Sequence, residues 1–265
     1  MTNSYKKEYP FVGYAGFGGG VGALSAKSSA TKTYVDDVFS TYVYAGNSST
    51  QSIDNGIDLS GEGGMTWIKG RDDTVSHFLY DTVRGAGEQI NTDSNTDKHT
   101  DTNRFSSFNS NGFTLGNNAY TNDSSYTYSS WSFRKAKGFF DVVTYTGTGS
   151  DQNISHSLGS IPGMILVKRT DSSANWGVYH RGQNNGDNPW NYRLRLDTTD
   201  TISAQTYWAQ TAPTATHFSV GDAHTETNAS GATYVAYVFA DVSSKEATSR
   251  SVYFDGSSDY LLSTS

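Results

Sequence analysis

The chain has 265 residues, 35% of them hydrophobic and 14% aromatic, with 27 Gly, 4 Pro, 18 Tyr and no Cys. That length suffices for one or two domains with an ordinary core, and the aromatic content excludes a chain disordered by composition. A net charge of −7 and a pI near 5.2 argue against a nucleic-acid or anionic-membrane surface, and the missing cysteine removes disulfides, thiolate zinc sites and cysteine nucleophiles.

The start, "MTNSYKKEYP", lacks the apolar core of a signal peptide. No apolar run approaches the ~18 residues of a membrane span, so no membrane insertion is expected. "GYAGFGGGVGALSAKSS" (13–29) imitates a phosphate loop, but Ala26 precedes Lys27-Ser28 and Val21 holds the first glycine position. Its nine Gly or Ala between Gly13 and Ala26 let backbone lie close to a partner surface. Residues 1–39 are therefore expected to be an anchoring arm, with Gly13, Gly16, Gly18, Gly19, Gly20 and Gly22 as its assembly contacts. "KTYVDDVFSTY" is the one helix candidate, weakened by its β-branched residues.

From there the chain repeats itself. "YAGNSSTQSIDNGI" (44–57) returns as "YTGTGSDQNISHSL" (145–158), and "GMTWIKGRDDTVSHFLYD" (64–81) as "GMILVKRTDSSANWGVYH" (163–180). "GFTLG" (112–116) returns as "HFSVG" (217–221), and "YTYSSWSFR" (126–134) as "ATYVAYVFA" (232–240). Four blocks in one order predict two tandem copies. Met65–Lys69 and Met164–Lys168 read as strands, "RDDTVS" and "TDSSAN" as polar turns, "HFLYD" and "WGVYH" as return strands. The closing strands alternate with period two. The expected fold is all-β: two tandem β-sandwich, jelly-roll-like domains at 40–136 and 141–242, from an internal duplication. Met65, Trp67 and Phe133 are expected in one core, and Met164, Leu166 and Phe239 at matching places in the other.

Candidate chemistry is thin. Asp72-Asp73 could serve acid–base work, but the second copy keeps only one acid, as Asp171-Ser172, so a hairpin turn is expected. In "DSNTDKHTDTN" (93–103), Asp93, Asn95, Asp97 and Asp101 fall at positions one, three, five and nine of a calcium loop. Lys98 and Arg104 replace the Gly and Glu such a loop needs, so these four are weak metal candidates only. No pair of the six histidines has metalloprotease spacing and no G-x-S-x-G elbow occurs. Trp190 and Tyr192, among Asn, Gly and Asp, and the neighbouring Tyr207 and Trp208, could stack on a sugar ring; packing or a subunit contact is the competing reading. No cofactor is implied.

The blocks "DDVFSTYVYAGNSSTQSIDNGIDLSGEGGMTWIKGR", "WSFRKAKGFFDVVTYTGTGS" and "ISHSLGSIPGMILVKRTDSSANWGVYHRG" resemble a domain family of unknown biochemical function. That family is found in virion structural and tail-fibre-like proteins of marine bacteriophages, especially cyanophages, and the resemblance covers roughly 36–242. It implies a place, the phage particle, assembled in the host bacterial cytoplasm, and no catalytic residues. The implied partners are other virion proteins and further copies of the chain, a trimer if it forms a fibre. The competing class is a carbohydrate binder or depolymerase at the host surface. After a polar linker from 243, "VYFDGSSDYL" resembles the opening strands of laminin-G or concanavalin-A-like domains. The native polypeptide is therefore expected to continue into a further β domain.

Overall fold

The computed structural model describes residues 33–222 and 224–241. The glycine arm, apart from its last residues, and the C-terminal hairpin expected at 251–262 lie outside the described residues. The helix candidate shrinks to α1, Val35–Val38, with Asp36 and Asp37 in its only turn. At Phe39 the backbone turns extended and the run Phe-Ser-Thr-Tyr-Val-Tyr-Ala continues as β1, Phe39–Ala45. Aromatic and β-branched residues favour that state.

The first copy continues through β2 (Gln51–Asp54), β3 (Gly64–Gly70), β4 (Phe78–Asp81), β5 (Glu88–Asn91), β6 (His99–Thr100), β7 (Ser107–Asn109), β8 (Gly112–Leu115), the short α2 (Ala119–Asn122) and β9 (Thr127–Arg134). The second runs through β10 (Phe140–Thr146), β11 (Gln152–Ser155), β12 (Pro162–Arg169), β13 (Gly177–His180), β14 (Tyr192–Arg195), β15 (Ser203–Ala204), β16 (His217–Val220) and β17 (Thr233–Ala240). The main sheets have the orders β1-β9-β3-β4-β5-β6 and β10-β17-β12-β13-β14-β15, which are the same order. Each copy also carries a small sheet, β2-β8-β7 in the first and β11-β16 in the second. Even the register repeats. Phe39, Phe133 and Met65 stand abreast on β1, β9 and β3, as Phe140, Phe239 and Met164 do on β10, β17 and β12.

Each main sheet packs one face on its own small sheet. Tyr44, Ile53, Ile68, Tyr80, Phe113 and Tyr128 fill the first such core, and Ile154, Ile165, Tyr179, Trp208, Phe218 and Tyr234 the second. The opposite faces pack on each other. Met65, Leu79 and Ile90 of the first copy meet Phe140, Val142, Leu166, Trp176, Val178 and Tyr237 of the second in a third core. The expectation of separate cores for Met65, Trp67 and Phe133 and for Met164, Leu166 and Phe239 is corrected here: all six belong to this shared seam. Phe133 lies 5.8 Å from Phe140 and 5.7 Å from Phe239, ring centre to ring centre. The cause is visible in β17, Thr-Tyr-Val-Ala-Tyr-Val-Phe-Ala. Its Tyr234, Ala236 and Val238 face the small sheet while Val235, Tyr237 and Phe239 face the seam. A strand apolar on both faces needs cover on both. The result is four layers: small sheet, main sheet, main sheet, small sheet.

Candidate functional site

The paired carboxylates resolve into a fastener. Asp72 accepts hydrogen bonds from the backbone N–H of Thr127 at 2.9 Å and from its hydroxyl at 3.2 Å. Asp171 accepts from the N–H of Thr233 at 3.3 Å. In both copies the aspartate ties the hairpin turn to the first residue of the closing strand. Asp73, without an acidic counterpart, accepts from the N–H of Val75 and lies 3.8 Å from the Lys69 ammonium. The hairpin reading of this stretch holds.

A second duplicated device escaped the sequence reading. Asn122 is fully buried. Its Oδ1 accepts from Asn47 N–H at 2.9 Å and from Gln51 Nε2, and its Nδ2 donates to Ser49 O and Gly116 O. Asn228 is equally buried. It accepts from Thr148 N–H at 3.0 Å and Gln152 Nε2 at 2.7 Å, and donates to Ser150 O at 2.7 Å. The stacked pairs Tyr44–Tyr128 and Tyr145–Tyr234, each with ring centres 5.1 Å apart, flank these asparagines. Tyr44 donates to Thr121 O and Tyr145 to Thr227 O. The signal was there: a Thr-Asn pair precedes each closing strand, at Thr121-Asn122 and Thr227-Asn228.

The calcium-loop candidates do not converge. Asp93 accepts from His77 N–H. Asp101 accepts from Asn103 N–H and from Asn118, and lies 3.4 Å from Arg104. Asn95 offers its carbonyl to a lysine of the other copy: Lys168 Nζ donates to Asn95 O at 3.1 Å and to Ala174 O at 2.6 Å. Around it, Ala174 N–H donates to Asn95 O and Trp176 Nε1 to Asn91 O. The segment is a clasp over the seam, held by the Asn95 and Asn91 backbone carbonyls. Burial pushes the Lys168 ammonium down to about 8, against the pull of the Asp197 and Asp97 carboxylates. Among the described residues, no group of three or more His, Cys, Asp or Glu is placed to hold a metal ion.

The predicted sugar platform is also corrected. Tyr207 and Trp208 are core residues, each 2% exposed, and Trp208 Nε1 donates to Tyr192 O at 3.0 Å. Trp190 packs half-buried on the same core. Two large aromatics adjacent in sequence are buried because the chain here is a loop of turns whose side chains both fold onto the sheet. Tyr192 is half-buried as well, and so is a second aromatic pair on the first copy. Trp67 and Trp131 meet edge-on at 5.7 Å on the first main sheet, with His77 at 5.8 Å from Trp67. Burial lowers the His77 imidazole pKa.

Ionisable groups cluster in two further places, and each cluster is internally paired. At the seam, Tyr237 donates to Asp81 Oδ2 at 2.6 Å, while Arg84 bonds Asp81 at 2.5 Å and the Tyr237 oxygen at 3.2 Å. Near β14, Arg195 bridges Asp200 at 2.6 Å and Glu226 at 2.5 Å, and Arg193 approaches Asp200 at 3.4 Å. None is duplicated. Asp81 corresponds to His180, Gln89 to Arg193 and Asn91 to Arg195 in the matched registers. Two clefts open on the first copy. One, of about 490 Å³, is lined by Ser60, Glu62, Thr82, Ser107 and Lys135. The other, of about 350 Å³, is lined by Ser76, Gln89, Asn91, Arg104 and Tyr120, with the Arg104 guanidinium 4.4 Å from the Tyr120 ring centre.

No helix among the described residues is long and apolar enough to cross a membrane. Neither the curated proteins nor the solved structures contain a match to this chain. A family model does match, over residues 35–257, and so covers both copies. The chain belongs to the family described as Domain of unknown function (DUF7483).

Proposed function

We propose that the protein is a non-enzymatic structural component of a bacteriophage virion, a fibre or appendage protein of the tail or head. In this reading the N-terminal glycine arm anchors it to other virion proteins, copies of the chain associate with one another, and the four-layered body projects. A capsid decoration protein is the close variant of the same reading. One observation carries the structural role: the duplication preserves the framework and discards the chemistry. Asn122/Asn228, Asp72/Asp171 and the stacked tyrosines recur with corresponding partners, Ser49/Ser150 and Gln51/Gln152 at the asparagines, whereas Asp73, Asp81 and Gln89 become Ser172, His180 and Arg193. Catalysis needs defined groups in defined places; a scaffold needs only the fold. The placement in a phage particle rests on the sequence resemblance. Quantitative mass spectrometry of purified particles tests it: a fixed, stoichiometric copy number supports the reading, and absence from particles refutes it.

A second reading, a carbohydrate binder at the host surface, is favoured by the cleft at Arg104. There Tyr120, 47% exposed, stands beside a guanidinium and two amides. That combination of aromatic wall and fixed polar groups suits a sugar. A glycan array with the wild type and Tyr120→Ala separates the two: binding lost in the variant supports the second reading. Release of reducing ends from host polysaccharide would make it a depolymerase.

A further inference from the structure

We infer that the cleft at Arg104 is a carboxylate site, which takes an acidic residue of a polysaccharide. The inference rests on the carbohydrate-binding reading of that cleft and names the class of sugar. The cleft lies between the turn before β4, the strand β5 and α2, and a chain of hydrogen bonds runs through its wall in one direction. Arg104 Nη1 donates to Gln89 Oε1 at 2.7 Å, and the Tyr80 hydroxyl donates to the same oxygen at 3.1 Å. A guanidinium can only donate, so the orientation of the Gln89 amide is fixed. Gln89 Nε2 donates onward to Asn91 Oδ1 at 2.7 Å. Both amide oxygens are thereby used within the wall. Donors are left over: among the described residues, Arg104 Nη2 and Asn91 Nδ2 have no partner.

Asp101 does not supply the missing acceptor. It stands 3.4 Å from Arg104 Nε without a hydrogen bond to it, and its oxygens accept from Asn103 N–H and Asn118 Nδ2. Donors around a guanidinium select an anion, since hydrogen bonds to a charged acceptor are about twice as strong as neutral ones. The Tyr120 ring, its centre 4.4 Å from the guanidinium, adds the flat wall on which a sugar ring stacks.

The second copy shows the same place with the acid built in. Arg195 occupies the register of Asn91. Glu226 stands two residues before Asn228, as Tyr120 stands two before Asn122. Glu226 Oε1 accepts from Arg195 Nη2 at 2.5 Å, and Asp200 Oδ2 accepts from Nη1 at 2.6 Å. There the chain satisfies its guanidinium from within. In the first copy the position of the acid holds a neutral ring, 47% exposed, beside a cleft of about 350 Å³, at the lower end of the roughly 300–1,000 Å³ of small-ligand sites. The carboxylate that the second copy carries is the one the first copy takes from its ligand.

A glycan array of uronic-acid oligosaccharides, each printed beside its neutral methyl ester, tests this with the intact 265-residue chain. The wild type is expected to bind the acid at least tenfold more tightly than the ester. Tyr120→Gln removes the ring without adding charge, so it should weaken both and preserve that ratio. Tyr120→Glu writes the second copy's carboxylate into the first and should bring the ratio to one or below. Tyr120 is exposed, so neither substitution opens the core. Acid and ester bound alike, or hits confined to neutral glycans, overturn the inference and leave the carbohydrate reading standing. No binding to any glycan overturns both. A ratio unchanged in Tyr120→Glu overturns the inference as well, and so does a printed tetra-aspartate peptide bound as tightly as the uronates, which would assign the cleft to acidic protein segments.

Discussion

Stability should rise with pH from 7 to 9, and Lys168 should be the cause. The ammonium is fully buried, and burial pushes its pKa from 10.5 down to about 8. Between these values the unfolded chain holds a proton that the folded chain has released. Stability then grows with pH, because the slope follows the protons bound by the unfolded state minus those bound by the native one. At about 1.4 kcal/mol per pH unit, the Lys168 gain from pH 7 to 9 is about 1.3 kcal/mol. Near pH 9 the trend begins to reverse. Tyr80, Tyr145 and Tyr237 are among the tyrosines held protonated by burial, while the unfolded tyrosines ionise near ~10. The assay is urea unfolding at pH 7, 8 and 9, followed by near-ultraviolet circular dichroism. With a slope of about 3 kcal/mol per M, the midpoint should rise by roughly 0.3 M, net of the tyrosines. Lys168→Met removes the titrating group, and its midpoint should not rise with pH over this range. A wild-type midpoint that is flat or falling from pH 7 to 9, or a variant that rises as much, would refute the assignment.

Other perturbations probe the shared framework. Asn228→Ala removes three hydrogen bonds from a buried site and should cost about 2–3 kcal/mol in chemical denaturation, since water reaches only some of the freed groups; Asn122→Ala should match it. Tyr237→Phe strips a hydroxyl from the buried Asp81–Arg84 pair and should cost about 1–3 kcal/mol, read from the thermal midpoint. Gly46→Ala would drive a Cβ into the Asp123 carbonyl and should cost about 3 kcal/mol or more, visible as poor recovery of folded protein. Asp171→Ala, at an exposed turn, should cost less than about 1 kcal/mol, because it removes one backbone hydrogen bond and one exposed ion pair.

The duplication was legible because strands show their period in sequence. Met65–Lys69 and Met164–Lys168 fall inside β3 and β12, and the matched blocks become matched sheet orders. The seam was less legible. Two separate sandwiches would leave one face of β17 to solvent, although Val235, Tyr237 and Phe239 are as apolar as their alternates. A face that covers another copy of itself looks, residue by residue, like any core face. The aromatic pair Tyr207-Trp208 misled for a related reason: composition cannot say which ring the sheet will cover. The loop at Asp93–Asp101 misled because ligand spacing depends on side chains, while its contact to Lys168 is made by the Asn95 backbone. The buttressing asparagines carried a repeated Thr-Asn signal, but a two-residue match gains meaning only once the networks around it are seen.

The central claim is that two copies of one β unit share a core and behave as a single rigid body. Differential scanning calorimetry of the intact chain addresses it directly. One transition is predicted, with calorimetric enthalpy equal to the van't Hoff enthalpy, because neither main sheet can shed its partner without exposing Met65, Leu166, Trp176 and Tyr237. Two resolved transitions, one for each copy, would contradict it.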